Sequence, residues 1–569
     1  MHLNKNRILI LYLIFSLAFF ALVGRLFQIQ FIDGPRYSQQ AVAQRQKTIN
    51  YIQFPRGTIY DRDLRPLTNV EEQPCVTVFP GMVRDVNRTT GFLSGVLGIS
   101  SELIAWRIEN QSSGSTSLAK EPFILKSGLA PDEVKLINEA RLPGVYVLPL
   151  VPRYQASRPA VHIIGFVGNI NEEEYQEMCF LGKDYQINDK IGKSGLEKQY
   201  EDYLRGGSSE KIAALVDVLG RHLEGSGFTR LAGEKKEVDS HNHVVTTLDL
   251  DYQRIAENAL EGYNGAAVVM DVWTGNILAL ASSPKYDPFM QEEPTTNDAY
   301  INKALKNYPP ASVFKILIAA AALEEGLLKT EDLFNCTGEI TLSTGQTISC
   351  WNQAGHGEIS FSEAFAYSCN PFFIETGLKL GGDKIIKYAE KFGLHDDLII
   401  GYDLSSTRHV HFNPHVPGDI ANVSIGENGI SLSPVLIAKL VSQVANGGFS
   451  ITPRLVLRIQ DEQGESLKEF HNPAGLRIIN NNTAVALKNM MKLAVEEGTG
   501  KSARVFGMET AGKTGSSEIG GVWFAGFAPV DVPRWAVVVF IQKGTSGGKE
   551  AAAAFQKIVS ELAQVEKIF

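Results

Sequence analysis

The chain has 569 residues, 44% of them hydrophobic and 21% charged, with a formal net charge of −9. That length exceeds what one hydrophobic core fills and suits two to four folded domains, while the acidic balance argues against nucleic acid, which is met by a basic face. The five cysteines (Cys75, Cys179, Cys336, Cys350 and Cys369) are odd in number and form no C-x-x-C pair. A complete disulfide framework is excluded, and with no Cys/His group at zinc-motif spacing neither a metal nor a cofactor is expected.

The first element is an apolar run from Ile8 to Val23, broken by Tyr12 and Ser16 and continuing through Leu26, Phe27 and Ile29 past Arg25. A membrane span takes about 20 such residues, and Arg25 can extend its charged head to the interface. No small-x-small cleavage site follows, so residues 1–30 read as a short tip and an uncleaved transmembrane anchor. Lys5 and Arg7 precede the run, but Arg25, Arg36, Arg45 and Lys47 follow it, so charge alone leaves its orientation open.

Residues 31–240 read as one mixed α/β domain of short strands and many turns. Pro55-Arg56-Gly57-Thr58-Ile59-Tyr60-Asp61-Arg62 is a turn leading into a strand, Arg153-Tyr154 leads to Val161–Gly168, and Gly192-Lys193-Ser194-Gly195-Leu196-Glu197 opens a helix that runs to Tyr203. The polar stretch Gly225–Asn242 marks a boundary or an exposed hairpin. From 241 to 569 a second domain follows. A helix begins near Tyr252, Ala266–Asp271 and Asn276–Ala281 form a hairpin about Trp273-Thr274-Gly275, and Ile316–Leu323 is apolar on every side, as a buried helix is. Val522–Ala528 and Trp535–Ile541 form another hairpin. Strands, then helices, then strands predict an α+β fold with an antiparallel sheet flanked by helices.

Three motifs carry chemistry. Ser312-Val313-Phe314-Lys315 follows Pro309-Pro310 and opens the buried helix, which puts Ser312 and Lys315 on one face. A serine hydroxyl needs a base. A lysine in an apolar pocket has a lowered pKa and can serve, and helix N-terminal N–H groups favour a developing oxyanion. The same spacing recurs at Ser117/Lys120, Ser208/Lys211, Ser282/Lys285 and Ser546/Lys549, without the buried helix. Ser368-Cys369-Asn370 offers a second hydroxyl to relay a proton and an amide to hold the lysine or a peptide carbonyl. Lys513-Thr514-Gly515, on or beside an edge strand, offers a cation and a hydroxyl to a carboxylate, with Gly515 permitting close approach. The order is the discriminating feature: S-x-x-K, S-x-N 56 residues on, then K-T-G 145 further. No G-x-S-x-G elbow is present, which disfavours a generic serine hydrolase.

With these motifs the sequence resembles the class B penicillin-binding proteins over essentially its whole length. The 31–240 half, with Arg56–Arg62, Arg153-Tyr154, His162, Gly165 and Gly195-Leu196-Glu197, is similar to their non-catalytic, dimerisation-type pedestal. The 241–569 half, with Ala494–Gly500 and Trp523–Pro529 flanking K-T-G, is similar to their transpeptidase domain. The resemblance implies a peptidoglycan D,D-transpeptidase in cell wall synthesis. Ser312 is then the acylated nucleophile, Lys315 the base and Ser368 the proton relay. Asn370 contacts substrate amide, Lys513 and Thr514 bind the terminal carboxylate beside Gly515, and Ser516 shares the oxyanion hole with Ser312. It further implies stem peptides as substrate, β-lactams as acylating mimics, a polytopic glycosyltransferase as a possible partner, and a catalytic domain on the extracytoplasmic side of the cell membrane. Readings set against it are a β-lactam-hydrolysing or sensing relative of the same fold, and a mainly structural partner of a glycosyltransferase. Three positions depart from the family's usual residues: Ala311 stands for Gly, Glu427 for Gln, and Val161 for Ala. Cys369, between two site residues, raises the further expectation of a regulatory disulfide to Cys350 or Cys336 if either lies within reach.

Overall fold

The structure, a computed structural model, describes residues 5–37, 46–53, 56–110, 122–183, 185, 189–206, 210–215, 228–232, 242–288, 298–395, 397–404, 409–517 and 521–568. Ser117, Lys120, Ser208 and most of the polar stretch 225–242 lie outside them. The chain divides into two compact units that do not follow chain order: Met1–Pro55 with Pro74–Leu148 and Gly207–Asp239, and Arg56–Gln73 with Pro149–Gly206 and Ser240–Phe569.

In the first unit the N-terminal helix runs Lys5–Phe27, and the apolar stretch continues as a wider turn through Ile32. None of its 26 residues from Arg7 to Ile32 is buried within the chain. As helix they measure about 39 Å, enough for a hydrocarbon core of about 30 Å. Gln46–Gln53 pairs antiparallel with Glu210–Leu215, which pairs with Phe228–Ala232. A second sheet orders Phe123–Ser127, Gln73–Val78 and Val145–Leu150. The helix Val86–Leu97 beside it is capped by Asp85, whose carboxylate accepts from the Arg88 N–H at 2.9 Å, and stops at Gly98.

The second unit is built on a five-stranded antiparallel sheet: β1 (Gly265–Asp271), β2 (Ile277–Ser283), β3 (Ala511–Ser517), β4 (Gly521–Ala528) and β5 (Trp535–Ile541), in the order β2-β1-β5-β4-β3. Both predicted hairpins are present. Alternate residues serve two cores, as the pleat requires. Ala267, Val269, Val537 and Val539 pack with Tyr252 of helix α1 (Leu250–Ala259) and with Phe555, Ile558 and Leu562 near the C-terminus. Ala266, Val268, Met270, Val538 and Phe540 face the larger core. There lies α2 (Lys315–Glu324), with Lys315–Ala322 all buried, the helix whose uniform apolarity predicts this. Around it sit α3 (Phe361–Ala366), α4 (Asn370–Leu380), α5 (Pro417–Ser424), α6 (Pro434–Ala445) and α7 (Asn481–Glu496); α8 (Ala552–Val565) supplies Phe555, Ile558 and Leu562 to the opposite face.

A smaller sheet ties early residues into this unit. Ile59–Tyr60 pairs parallel to Val244–Val245, whose strand pairs with Val456–Gln460. Beside it Arg56, Arg153, Tyr154 and Glu197 form one buried polar network. Arg56 Nε lies 3.1 Å and Arg153 Nε 2.6 Å from the Glu197 carboxylate, Tyr154 donates to it at 3.2 Å, and Arg56 also reaches Glu201 at 2.6 Å. Burial pushes the Glu197 carboxyl up, but Arg153 and Arg56 outweigh it and hold its pKa below the ordinary carboxylate value. The helix predicted to open over Gly192–Glu197 and run to Tyr203 starts at Gly195, after a strand ending at Gly192, and occurs as two short pieces, Gly195–Gln199 and Glu201–Leu204, stepping at Tyr200.

Candidate active site

Ser312 lies in a 3-10 turn, Ala311–Phe314, that runs directly into α2, rather than in the first α-helical turn itself. In 3-10 geometry residues i and i+3 eclipse, so Ser312 and Lys315 share one edge of the turn. The turn is fixed from two sides. Ala311 has φ +50°, and its N–H donates to the Gly426 carbonyl at 2.9 Å. The left-handed value explains why glycine suits this position and what alanine costs there, about 1–2 kcal/mol. On the other side Trp523 Nε1 donates to the Pro309 carbonyl at 3.0 Å. A Cβ at Gly515 would lie 3.0 Å from the Pro310 carbonyl and 3.2 Å from Val313, so K-T-G runs against the serine turn.

Lys315 is fully buried and points at the second motif. Its Nζ donates to the Ser368 carbonyl at 2.9 Å and to Asn370 Oδ1 at 2.7 Å, and lies 3.3 Å from Ser368 Oγ. Burial lowers its pKa to about 7, against the weaker opposing pull of Cys369, Cys350 and Glu427. Ser368 has φ +59° and sits between α3 and α4, with Asn370 opening α4 before Pro371.

Lys513, Thr514 and Gly515 lie on β3, the edge strand that the sequence predicts. Lys513 is fully buried, and its ammonium is disfavoured first by burial and then by Lys315. Its Nζ donates to the Thr514 carbonyl at 3.1 Å and lies 5.8 Å from the Phe365 ring centre. Ser516 is exposed at the strand end, and its Oγ accepts from the Gly547 N–H at 3.1 Å. The structure thus gathers all three motifs at one place. The rival pairs differ: Lys285 is bound to Glu257 and the Ser157 carbonyl, and Lys549 is exposed.

Sequence reasoning assigned no role to Thr499, whose hydroxyl lies 2.6 Å from that of Thr514. Glu427, noted only as a departure, accepts from the Ser517 hydroxyl at 3.0 Å beside the K-T-G strand. Behind Ser368, the cysteines named for a regulatory disulfide do lie within reach of one another, Cys369 with Cys350 and Cys336, each a free thiol; His356, to which sequence reasoning gave no role, joins them. No local spacing announces any of these; they meet only through the fold.

Residues 265–560 match the penicillin binding protein transpeptidase domain, and residues 51–229 the penicillin-binding protein dimerisation domain. The chain is similar to the stage V sporulation protein D of Bacillus subtilis, 28% identical across 98% of this chain and 85% of that protein. It is also similar to the peptidoglycan D,D-transpeptidase MrdA of Haemophilus influenzae, 25% identical across 100% of this chain and 93% of that one. The fold is shared with a solved D,D-transpeptidase domain of a peptidoglycan glycosyltransferase from Eggerthella lenta, with TM-score 0.54 and 24% identity over 63% of this chain and 96% of that one. With both domains on one chain, and the serine, lysine and K-T-G motifs drawn together by the larger unit, the protein belongs to the class B penicillin-binding proteins and is a peptidoglycan D,D-transpeptidase.

Proposed function

We propose that Ser312 attacks the carbonyl carbon between the two terminal D-alanines of a donor stem peptide. Lys315 takes the hydroxyl proton, D-alanine leaves, and an amine of a neighbouring stem peptide resolves the acyl-enzyme as a cross-link. The observation that carries this reading is the environment of Lys315. It is wholly buried, its pKa is lowered to about 7, and it is held by Ser368 and Asn370 three residues beyond Ser312. A lysine near neutrality is a competent base. As a neutral amine it donates twice, to the Ser368 carbonyl and Asn370, which leaves its lone pair to accept a proton. Ser368 Oγ, at 3.3 Å, is placed to pass the proton on to the leaving amine.

Lys513 and Thr514 bind the terminal carboxylate in this scheme. The burial that disfavours the Lys513 ammonium is offset when a carboxylate approaches and supplies its counter-charge. The N–H groups of Ser312 and Ser516 flank the carbonyl as it becomes an oxyanion. β-Lactams acylate Ser312 as mimics of the donor. Fluorescent penicillin labelling of wild type beside Ser312→Ala tests the centre of the reading: labelling is lost in the variant, and undiminished labelling excludes Ser312 as nucleophile.

The substrate chemistry supports a catalytic domain outside the cytoplasm, and the apolar N-terminal helix supports a single-pass anchor. The anchor brings the chain to the surface where lipid-linked precursors are polymerised, which supports a polytopic glycosyltransferase as partner of the 31–240 domain. Crosslinking in intact cells with a membrane-impermeant reagent, from positions in that domain, tests both. An adduct containing such a polymerase is expected, and a surface-labelled protein that yields none excludes the partner.

A further inference from the structure

Glu427 follows Gly426, whose carbonyl accepts from the Ala311 N–H at 2.9 Å on the serine turn. Its carboxylate is half-buried and accepts from the Ser517 hydroxyl at 3.0 Å, where β3 ends. It thus links the turn that carries Ser312 to the end of the K-T-G strand, and it is close enough for its charge to act on Lys315. Glutamine, the residue usual here in the resemblance drawn from sequence, has the same shape without the charge. A carboxylate oxygen accepts more than one hydrogen bond, so Ser517 orients the group without using up its capacity.

The groups assigned above fix what reaches this end of the strand. β3 is the edge of the sheet, paired with β4, and an extended peptide can lie along such an edge. The terminal carboxylate of the donor lies at Lys513 and Thr514, and its scissile carbonyl at the N–H groups of Ser312 and Ser516. The donor therefore runs antiparallel to β3, each earlier residue about 3.3 Å further along. The residue before the two D-alanines comes level with Ser517. D-Alanine carries only a methyl group, so the amine by which a stem peptide serves as acceptor sits on an earlier residue. A donor not yet cross-linked carries the same amine, an ammonium at neutral pH.

We propose that Glu427 is a specificity-determining residue that binds the ammonium group of the donor stem peptide, on the residue N-terminal to its two D-alanines. This subsite rests on the function proposed above. It selects donors whose amine is still unreacted, because a stem that has already been an acceptor presents an uncharged amide there.

Two peptides that differ by one charge test it: Nα-acetyl-L-lysyl-D-alanyl-D-alanine, and the same peptide with its side-chain amine acetylated. Each is titrated into fluorescent penicillin labelling of the full-length protein, and the concentration that halves the labelling rate is read. The ammonium peptide is expected to compete at a concentration about fivefold lower in wild type, the scale of a half-exposed ion pair. The preference shrinks as salt is raised, a readout that needs no variant. Glu427→Gln, which keeps an acceptor for Ser517, brings the two peptides level, whereas Glu427→Asp, which keeps the charge, retains a preference. Equal competition by the two peptides in wild type, competition by neither, or a preference that survives in Glu427→Gln overturns the subsite. Both peptides weakened alike in Glu427→Gln, with their ratio kept, shows a carboxylate that acts only through Lys315 and overturns it too. Labelling that persists in Ser312→Ala overturns the nucleophile, whereas a flat peptide ratio with labelling lost in Ser312→Ala overturns the subsite alone.

Discussion

Lys315 has to be an amine rather than an ammonium when Ser312 gives up its proton in the proposed mechanism. Burial, the largest influence on it, favours the amine and brings its pKa to about 7. The neutral fraction grows as pH rises towards that value, so acylation should quicken about tenfold per pH unit on the acid side and level off above it. Acylation rates with a fluorescent β-lactam between about pH 5 and pH 8.5 check this, and a flat profile argues for another base. Lys513 is buried just as completely, yet Lys315 disfavours its charge further, and it lies on β3. Two lysines of like chemistry are thus given different work by their neighbours: Asn370 and Ser368 for one, Thr514 and the Phe365 ring for the other.

At the scale of elements, the serine turn is held where separate pieces of chain converge. Tyr308 and Leu432 exchange hydrogen bonds at 3.0 and 2.9 Å, Gly426 accepts from Ala311, and Trp523 of β4 grips Pro309. Gly426 is the tightest of these contacts. It has φ +77°, and a Cβ there would fall 1.9 Å from the Ala311 carbonyl oxygen. Gly426→Ala combines backbone strain with a collision that no side-chain rotation relieves. It should cost at least about 2 kcal/mol of stability and displace Ser312. Denaturant titration and penicillin acylation measured on the same preparation check it: both should fall, and an unchanged acylation rate shows that the turn tolerates the shift.

At the scale of the whole molecule, segments far apart in sequence meet in the polar network around Glu197. Arg56, Arg153 and Glu197 come from separate stretches and bury their charges together. A buried ion pair adds little over an apolar replacement, but removing one partner strands the other's charge, at about 3–5 kcal/mol. Glu197→Ala should therefore lower the unfolding free energy by that amount although it lies outside the catalytic motifs. Equilibrium denaturation is the check, with a loss under about 1 kcal/mol contradicting the structural role given to the network.

Much of this was legible in the chain. The anchor follows from the apolar run Ile8–Val23, which reaches the thickness of a bilayer core once Leu26, Phe27 and Ile29 beyond Arg25 are added. The helix α2 follows from apolarity on every face, and the hairpins of β1/β2 and β4/β5 from apolar runs on either side of turns. These are local or periodic signals, which burial imposes on any sequence that folds this way. The motif Ser312–Lys315 was legible only through its order with Ser368/Asn370 and Lys513/Thr514, because the bare spacing recurs at four other pairs in the chain. What the sequence could not supply was convergence. Spacing of 14 residues between Cys336 and Cys350, and 19 between Cys350 and Cys369, resembles no metal motif. Only the hairpin and the start of α4 bring those sulfurs to His356. In the same way the left-handed backbone at Ala311 and Ser368, and the contact of Glu427 with Ser517, are decided by tertiary packing. Composition and periodicity record which residues leave water, whereas a site depends on which of them arrive at the same point.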